Sequence, residues 1–314
     1  MRAFVVVVSA LAVATSMVLA ACSDSGASDA HHDASYTPFP DAAPDGFVLD
    51  APVLADSSLV DASADSTVSP DAGADADAAP DSAPALTYPQ VVRADNPRSY
   101  WRLGEAGGSA AVDEMGATNG TYTGTVTRGA PGAIAGDPNP AVTFDGVSGY
   151  VGLGNGFAFN GTAAMSLEAW VKPGTLDGQY RRLLSKEIED GNGRQGYLIA
   201  AIADGGGGDF SFERFRDNGT EKIAASLPVG VYSHLVATYD GTTMVLYVNG
   251  VAAANVGSTR SLAAIAVPLN LATYSDPAFS PLEFFPGTVD ELAIYDHALS
   301  AARVLVHYRV GTGM

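Results

Sequence analysis

The sequence predicts an all-β domain of the sandwich or barrel class, and three observations carry that expectation. Short runs rich in aromatic and β-branched residues recur after Leu86, each bounded by Gly, Asn, Asp or Pro. Helical spacing is scarce over the same stretch, which argues against alternating helices and strands. Residues 232–250, YSHLVATYDGTTMVLYVNG, hold two alternating apolar runs with Asp-Gly and Asn-Gly turns, the pattern of a β-hairpin.

Composition divides the 314 residues into three parts. Residues 1–21 carry one early Arg2, an apolar run and small residues, the pattern of a secretory signal, too short and wrongly flanked for a membrane span. Residues 22–85 are almost wholly Asp, Ala, Ser and Pro and contain too few apolar groups to offset the entropy of ordering, so a disordered acidic linker is expected. As a flexible coil this tether would span roughly 40 to 47 Å, and proline and like charge extend it further. Residues 86–314 are long enough for one sizeable core.

The formal net charge is −19, and much of it lies in the linker, where no Lys or Arg occurs between Arg2 and Arg93 while thirteen aspartates do. A chain of this sign repels phosphate, so no nucleic-acid partner is expected. The single cysteine, Cys22, ends the run Leu19-Ala20-Ala21-Cys22. That run resembles the lipobox of bacterial lipoproteins, in which the signal is cut before the cysteine and the cysteine is lipidated. The resemblance implies a membrane partner reached through a lipid anchor and a place in the bacterial cell envelope, in the outer membrane or at the cell surface. Lipidation of Cys22 would leave no free thiol and no disulfide, so stability rests on the core or on bound ions.

In the folded region, strands are expected at 141–154 (AVTFDGVSGYVGLG), 165–173 (MSLEAWVKP), 195–204 (QGYLIAAIAD), 209–215 (DFSFERF), 268–274 (PLNLATY) and 287–296 (GTVDELAIYD). In the hairpin, Leu235, Ala237 and Tyr239 share one face, and Met244, Leu246 and Val248 alternate in the returning strand. Asn249-Gly250 supplies the positive φ of a type I′ turn into Val251. Near the C-terminus, Ala301, Val304, Leu305 and Tyr308 line one face of a short helix that Ser300 caps.

The segments YWRLGE, AVTFDGVSGYV, SLEAWVKP, LLSK, the hairpin and FFPGTVDELAIYDHALSAARVLVHY, in this order, resemble the bacterial laminin-G-like domains of the concanavalin A-like lectin and glucanase superfamily. The resemblance implies a jelly-roll β-sandwich of two antiparallel sheets over residues 86–314. It places Phe285 at a core position and Tyr232 where the family usually has Trp. It also has Arg303 where the family commonly has Glu, which removes half of a capping box.

Enzymes of that superfamily cleave polysaccharides with carboxylates alternating along one strand as Glu-x-Asp-x-Glu, and no such triplet occurs. Glu187 and Glu189 stand two apart, but Gly and Asn follow, so EIEDGNG reads as a solvated loop. Zinc, phosphate-loop and Gly-x-Ser-x-Gly patterns are missing from the sequence, and no enzyme is expected. The resemblance also implies a structural Ca2+ at Asp290, with Glu105 or Asp113 as partners. Ligand contacts are expected from residues that combine aromatic and polar groups as sugar stacking requires. These are Tyr180, Glu187, Asp190, Asn192, Arg194, Phe215, Arg216, Tyr274 and Phe279. The expected function is binding of carbohydrate or another surface ligand in adhesion or capture, with a structural or protein-interaction module of the envelope as the alternative and a degenerate glycoside hydrolase as the third.

Overall fold

The computed structural model describes residues 86–204, 207–217, 219–278 and 281–314. The expected signal, the linker, Cys22 and Phe279 lie outside the described residues. Among the described residues sixteen strands run antiparallel in two sheets, as the resemblance implies for a jelly-roll sandwich.

One sheet comprises β1 (Ser99–Trp101), β4 (Val126–Ala130), β5 (Ala141–Asp145), β7 (Met165–Pro173), β12 (Ser233–Tyr239), β13 (Thr243–Val248), β14 (Val251–Gly257) and β16 (Pro286–Tyr295). Its order is β14-β13-β12-β7-β16-β5-β4, with β1 also paired to β16. The other comprises β2 (Ala110–Ala111), β3 (Gly120–Thr123), β6 (Tyr150–Gly152), β8 (Arg181–Asp190), β9 (Gly193–Asp204), β10 (Gly207–Arg216), β11 (Gly219–Leu227) and β15 (Asn270–Leu271). Its order is β11-β10-β9-β8-β15-β6-β3-β2.

Alternation of side chains fills the space between the sheets. Leu167, Ala169 and Val171 of β7 and Leu235, Ala237 and Tyr239 of β12 meet Leu184, Tyr197, Ile199, Phe210 and Phe212 of the second sheet. Phe285 is fully buried there, and Phe210 packs edge-on to it at 6.0 Å. The hairpin follows its expected register, Tyr239 opposite Met244 and Leu235 opposite Val248. Asn249 and Gly250 adopt φ of 53° and 81°, the turn that sends the chain into β14.

The outer face of the first sheet is also covered, because two helices dock on it. Helix α1 (Tyr88–Ala94) and helix α2 (Ala301–Thr312) enclose a second apolar cluster of Tyr88, Val92, Trp170, Val236, Tyr295 and Val304. Sequence reading omits α1, whose seven residues are too few to show a helical period. Ser300 accepts the backbone N–H of Arg303 as the cap of α2, but the buried face is rotated from the expected one. Val304, His307 and Gly311 are buried and Ala301 is exposed. Gly311 sets this docking, since a Cβ there would lie 2.4 Å from the Trp170 ring.

Under the helices the second residue of an alternating pair is a carboxylate. Glu168 of β7 accepts the hydroxyls of Tyr88 (3.0 Å) and Tyr295 (2.6 Å) and pairs with His234 Nε2 (2.8 Å) and His307 Nδ1 (2.9 Å). The other nitrogen of His307 meets Asp95 at 2.7 Å, and Asp95 is held by Arg303 at 2.8 Å. Burial pushes the Glu168 carboxyl up, but the two histidines beside it more than reverse this and hold it well below its ordinary 4.5. His307 is pulled the other way, above 6.5, by the two carboxylates it bridges, against the opposing effect of its burial.

Stability therefore depends on pH in both directions. The Glu168 contribution is complete above about pH 4.5 and is lost as pH falls through its depressed folded value. The His307 contribution is complete below about pH 6.5 and is lost as pH rises through its raised folded value. Urea denaturation across pH is expected to give a midpoint that falls on both sides of that interval. Glu168→Gln should flatten both limbs, and an unchanged profile in that variant would refute the assignment.

Candidate functional site

The two sheets differ in how their outer faces are covered. Helices cover the first, whereas among the described residues the second is crossed by chain between β15 and β16, beside which lie two adjoining pockets.

The larger has a volume of ≈ 660 Å³. A cross-strand row forms its floor, because β3, β6 and β15 bring Thr121, Gly152 and Asn270 side by side in register. Residues opposite one another in a sheet point to the same side, so Thr121, Gly152 and Asn270 all face outward. Gly152 adds no side chain, and a Cβ built on it would meet only the Asn270 Oδ1, at 3.8 Å. One row along, Thr123 lies opposite Tyr150, which is half-buried against Phe284 at 6.4 Å. Pro268, Pro277 and Pro281 form apolar walls, and Asn270, Ser275 and Asp276 supply polar ones. Asn270 is fixed by donating Nδ2 to the Tyr274 carbonyl at 3.2 Å.

The smaller pocket, ≈ 330 Å³, is lined by Arg182, Glu189, Arg194, Tyr274, Leu282 and Glu283. Tyr274 lines both. Under the smaller pocket Glu187 is fully buried and accepts Arg182 Nε (2.6 Å), Arg194 Nε (2.7 Å) and the Ser185 hydroxyl (2.9 Å). Glu283 takes the other side of the Arg182 guanidinium at 2.6 Å, and its own backbone sits at φ 54°, a conformation side chains other than glycine rarely hold. Burial raises the Glu283 carboxyl above its ordinary value.

The structure thus gathers several of the residues singled out from sequence onto one face. Tyr274 and Arg194 line the smaller pocket, Glu187 lies beneath it, and Tyr180 flanks it with its ring 4.5 Å from the Arg182 guanidinium. The Tyr180 hydroxyl donates to Glu213. Four expectations need correction. EIEDGNG is not a solvated loop: β8 continues through Asp190, and only Gly191-Asn192 form the turn to β9, leaving Glu187 buried and Glu189 at the pocket wall. Phe215 is 1% exposed, with Arg194 lying 3.8 Å over its ring, so a sugar cannot stack there. Arg216 points to the opposite side of β10, donating to Asp217 and to the Ser261 carbonyl. Asp190 and Asn192 stand exposed at the turn, bonded to each other, and line neither pocket.

Sequence reading missed Thr121, Thr123, Tyr150, Gly152 and Asn270. They lie on three short strands, of which β15 has only two residues, so alternation gives little sequence signal, and a glycine as the floor of a pocket has no signature until its neighbours are known.

The residues expected to hold calcium do not converge. Asp113 accepts backbone N–H groups of Tyr100, Met115, Ala117 and Thr118 at 2.8–3.1 Å. Glu105 accepts the Val112 N–H and the Tyr122 hydroxyl. Among the described residues no cluster of three or more His, Cys, Asp or Glu is placed to hold a metal. Asp290 alone offers a donor: its Oδ2 accepts the Ala133 N–H at 2.7 Å, while its buried Oδ1 has no hydrogen-bond partner. Burial, with Glu291 as neighbour, pushes its carboxyl up to about 8, as expected of a carboxylate short of compensating positive charge. Asp290 lies opposite Trp170 on the helix-covered sheet, on the far side of the sandwich from the pockets.

Comparison with known families finds a match over residues 144–305 to Laminin_G_3, described as the Concanavalin A-like lectin/glucanases superfamily. No curated protein matches the chain. Among solved structures, the receptor binding domain of botulinum neurotoxin C/D mosaic serotype is similar with a TM-score of 0.51 at 13% identity, covering 68% of this chain and 51% of that one. The chain thus spans about half the length of that domain. Domain 4 of AbnA, a GH43 extracellular arabinanase from Geobacillus stearothermophilus in complex with arabinotriose, aligns with a TM-score of 0.49 at 21% identity, covering 67% of this chain and 97% of that one.

Proposed function

Because the chain belongs to the Concanavalin A-like lectin/glucanases superfamily, we propose that it is a non-enzymatic surface protein that binds carbohydrate in the pocket floored by Gly152, in adhesion or capture. The observation that carries this reading is the Thr121–Gly152–Asn270 row. It places a hydroxyl, an open floor and a carboxamide side by side, beneath the ring of Tyr150 and three prolines. Sugar rings present hydroxyls at their edges and C–H groups on their faces, and such a pocket offers partners to both. Binding without hydrolysis is supported by the carboxylates of the neighbouring pocket. Glu187 and Glu283 both grip the Arg182 guanidinium, which fills the space a scissile bond would need between an acid and a nucleophile.

A structural or protein-interaction module is the second reading, and β14 favours it. This edge strand, VAAANVG, carries no charge and is exposed along nearly its whole length, with Val251 66% exposed.

Two further proposals concern anchoring and ions. The lipobox-like run ending in Cys22 supports lipid attachment at the bacterial cell envelope, with residues 22–85 as the tether that lifts the domain from the membrane. Calcium is proposed at Asp290, whose buried Oδ1 has no hydrogen-bond partner, without Glu105 or Asp113, which are bonded elsewhere. Its role there would be structural, supplying positive charge to a buried carboxylate next to the Ala133 loop.

Gly152→Trp should abolish binding on a glycan array while leaving the melting temperature unchanged, because the added Cβ meets no atom closer than 3.8 Å. Retained binding in that variant would remove the pocket from the reading, and a silent array with folded wild type would transfer it to a protein partner. Partition into Triton X-114 tests the anchor: the wild type should enter the detergent phase and Cys22→Ser the aqueous phase, and a wild type found in water would refute lipidation. For calcium, chelation should lower the melting temperature of the wild type but not of Asp290→Asn. Equal responses would exclude Asp290 as the ligand.

A further inference from the structure

We infer that the ligand of the Gly152 pocket is a neutral polysaccharide, bound as an oligomeric stretch, and that acidic glycans are rejected. The inference rests on the proposed carbohydrate-binding reading and deepens it.

Charge is the first ground. Among the described residues no Lys or Arg lines the larger pocket, and the one charged residue there, Asp276, is an anion. Asp276 is not available for recognition either, since its two oxygens accept the backbone N–H groups of Glu189 and Ala278, both at 2.9 Å. In the adjoining pocket Arg182 and Arg194 are present, but Glu187 holds both and Glu283 holds Arg182 as well. With Glu189 on the wall, these residues carry two positive charges against three negative ones. The folded region around them adds to this field, with fifteen basic against twenty-two acidic side chains over residues 86–314. A carboxylate or sulfate entering either pocket meets no unpaired cation and several fixed anions, a repulsion that grows as water is displaced.

The groups left for a ligand form the second ground. Thr121 and Thr123 offer hydroxyls, and Asn270 offers a carboxamide, whereas the buried Ser275 hydroxyl is spent on the Glu187 backbone and the Ser185 hydroxyl. Each both donates and accepts, which matches a sugar hydroxyl and gives no preference to an anion. Tyr150, Pro268, Pro277 and Pro281 present apolar surface to the C–H face of a ring. The two pockets share Tyr274 as a common wall, so a chain crossing it occupies both, which a single sugar would not.

The test is affinity electrophoresis and calorimetry of the full chain. Neutral polysaccharides (laminarin, xylan and glucomannan) are compared with uronates (alginate and polygalacturonate), at low salt and at 150 mM salt. At least one neutral polysaccharide should bind, with an affinity that salt leaves unchanged, and the uronates should not. Thr121→Val removes one hydroxyl at constant volume and should weaken that binding roughly two- to tenfold without changing the melting temperature. Uronate binding, or neutral binding that Thr121→Val leaves intact, would overturn the inference while the carbohydrate-binding reading stands. Binding to no polysaccharide, from folded protein, would overturn both.

Discussion

A carboxylate buried in the middle of β7 constrains the architecture more than any other single group. Glu168 has no exposed side-chain surface, and an ion in that position is tolerated only when donors surround it. Those donors come from four separate elements, Tyr88 on α1, His234 on β12, Tyr295 on β16 and His307 on α2. Satisfying one residue therefore specifies where both helices and two neighbouring strands lie. Asp95 and Arg303 extend the same network and tie the two helices to each other.

This arrangement separates the two sides of the sandwich by role. On the helix-covered sheet the polar groups around Glu168 lie under the helices and compensate one another, and the Oδ1 of Asp290 stands without a hydrogen-bond partner. The outer face of the second sheet has no helix over it, and its polar groups are only partly consumed. Around Glu187 the arginines and carboxylates neutralise each other and build a rigid wall. Around Gly152 the hydroxyls, the carboxamide and one aromatic ring face open volume. The contrast explains why the larger pocket supplies the hydrogen-bonding groups, while the smaller, although it has more charge, supplies a self-compensated surface for a chain that crosses Tyr274.

The motif order made the family legible, and the period-two runs gave most of the central strands: MSLEAWVKP is β7 with the same bounds, and the hairpin has the expected register. Elements with little pattern of their own were not legible. Strand β2 is two residues long and α1 has a single pair of turns, so their place depends on partners far along the chain; the strand expected at 268–274 is there, but only as Asn270–Leu271. Strand β8 was not read as a strand for a different reason. Its end, Glu187 to Asp190, is charged and looks solvated; Glu189 and Asp190 are exposed, and the arginines on either side make the burial of Glu187 tolerable.

The sequence by itself determined the sandwich class, the alternation that fills its interior and the Asn249-Gly250 turn, because each follows from residues adjacent or two apart in the chain. It also marked Tyr274 and Arg194 as residues of interest. Tertiary structure alone decided which of the aromatic residues remain usable: Phe215 lies beneath Arg194, Tyr180 is tied to Glu213, and Tyr150 is left beside a pocket. It alone set Thr121, Gly152 and Asn270 in one row, from three strands of which the last lies more than a hundred residues beyond the other two. The physical reason is that a local pattern fixes which way a side chain points, whereas cross-strand register fixes what it points beside.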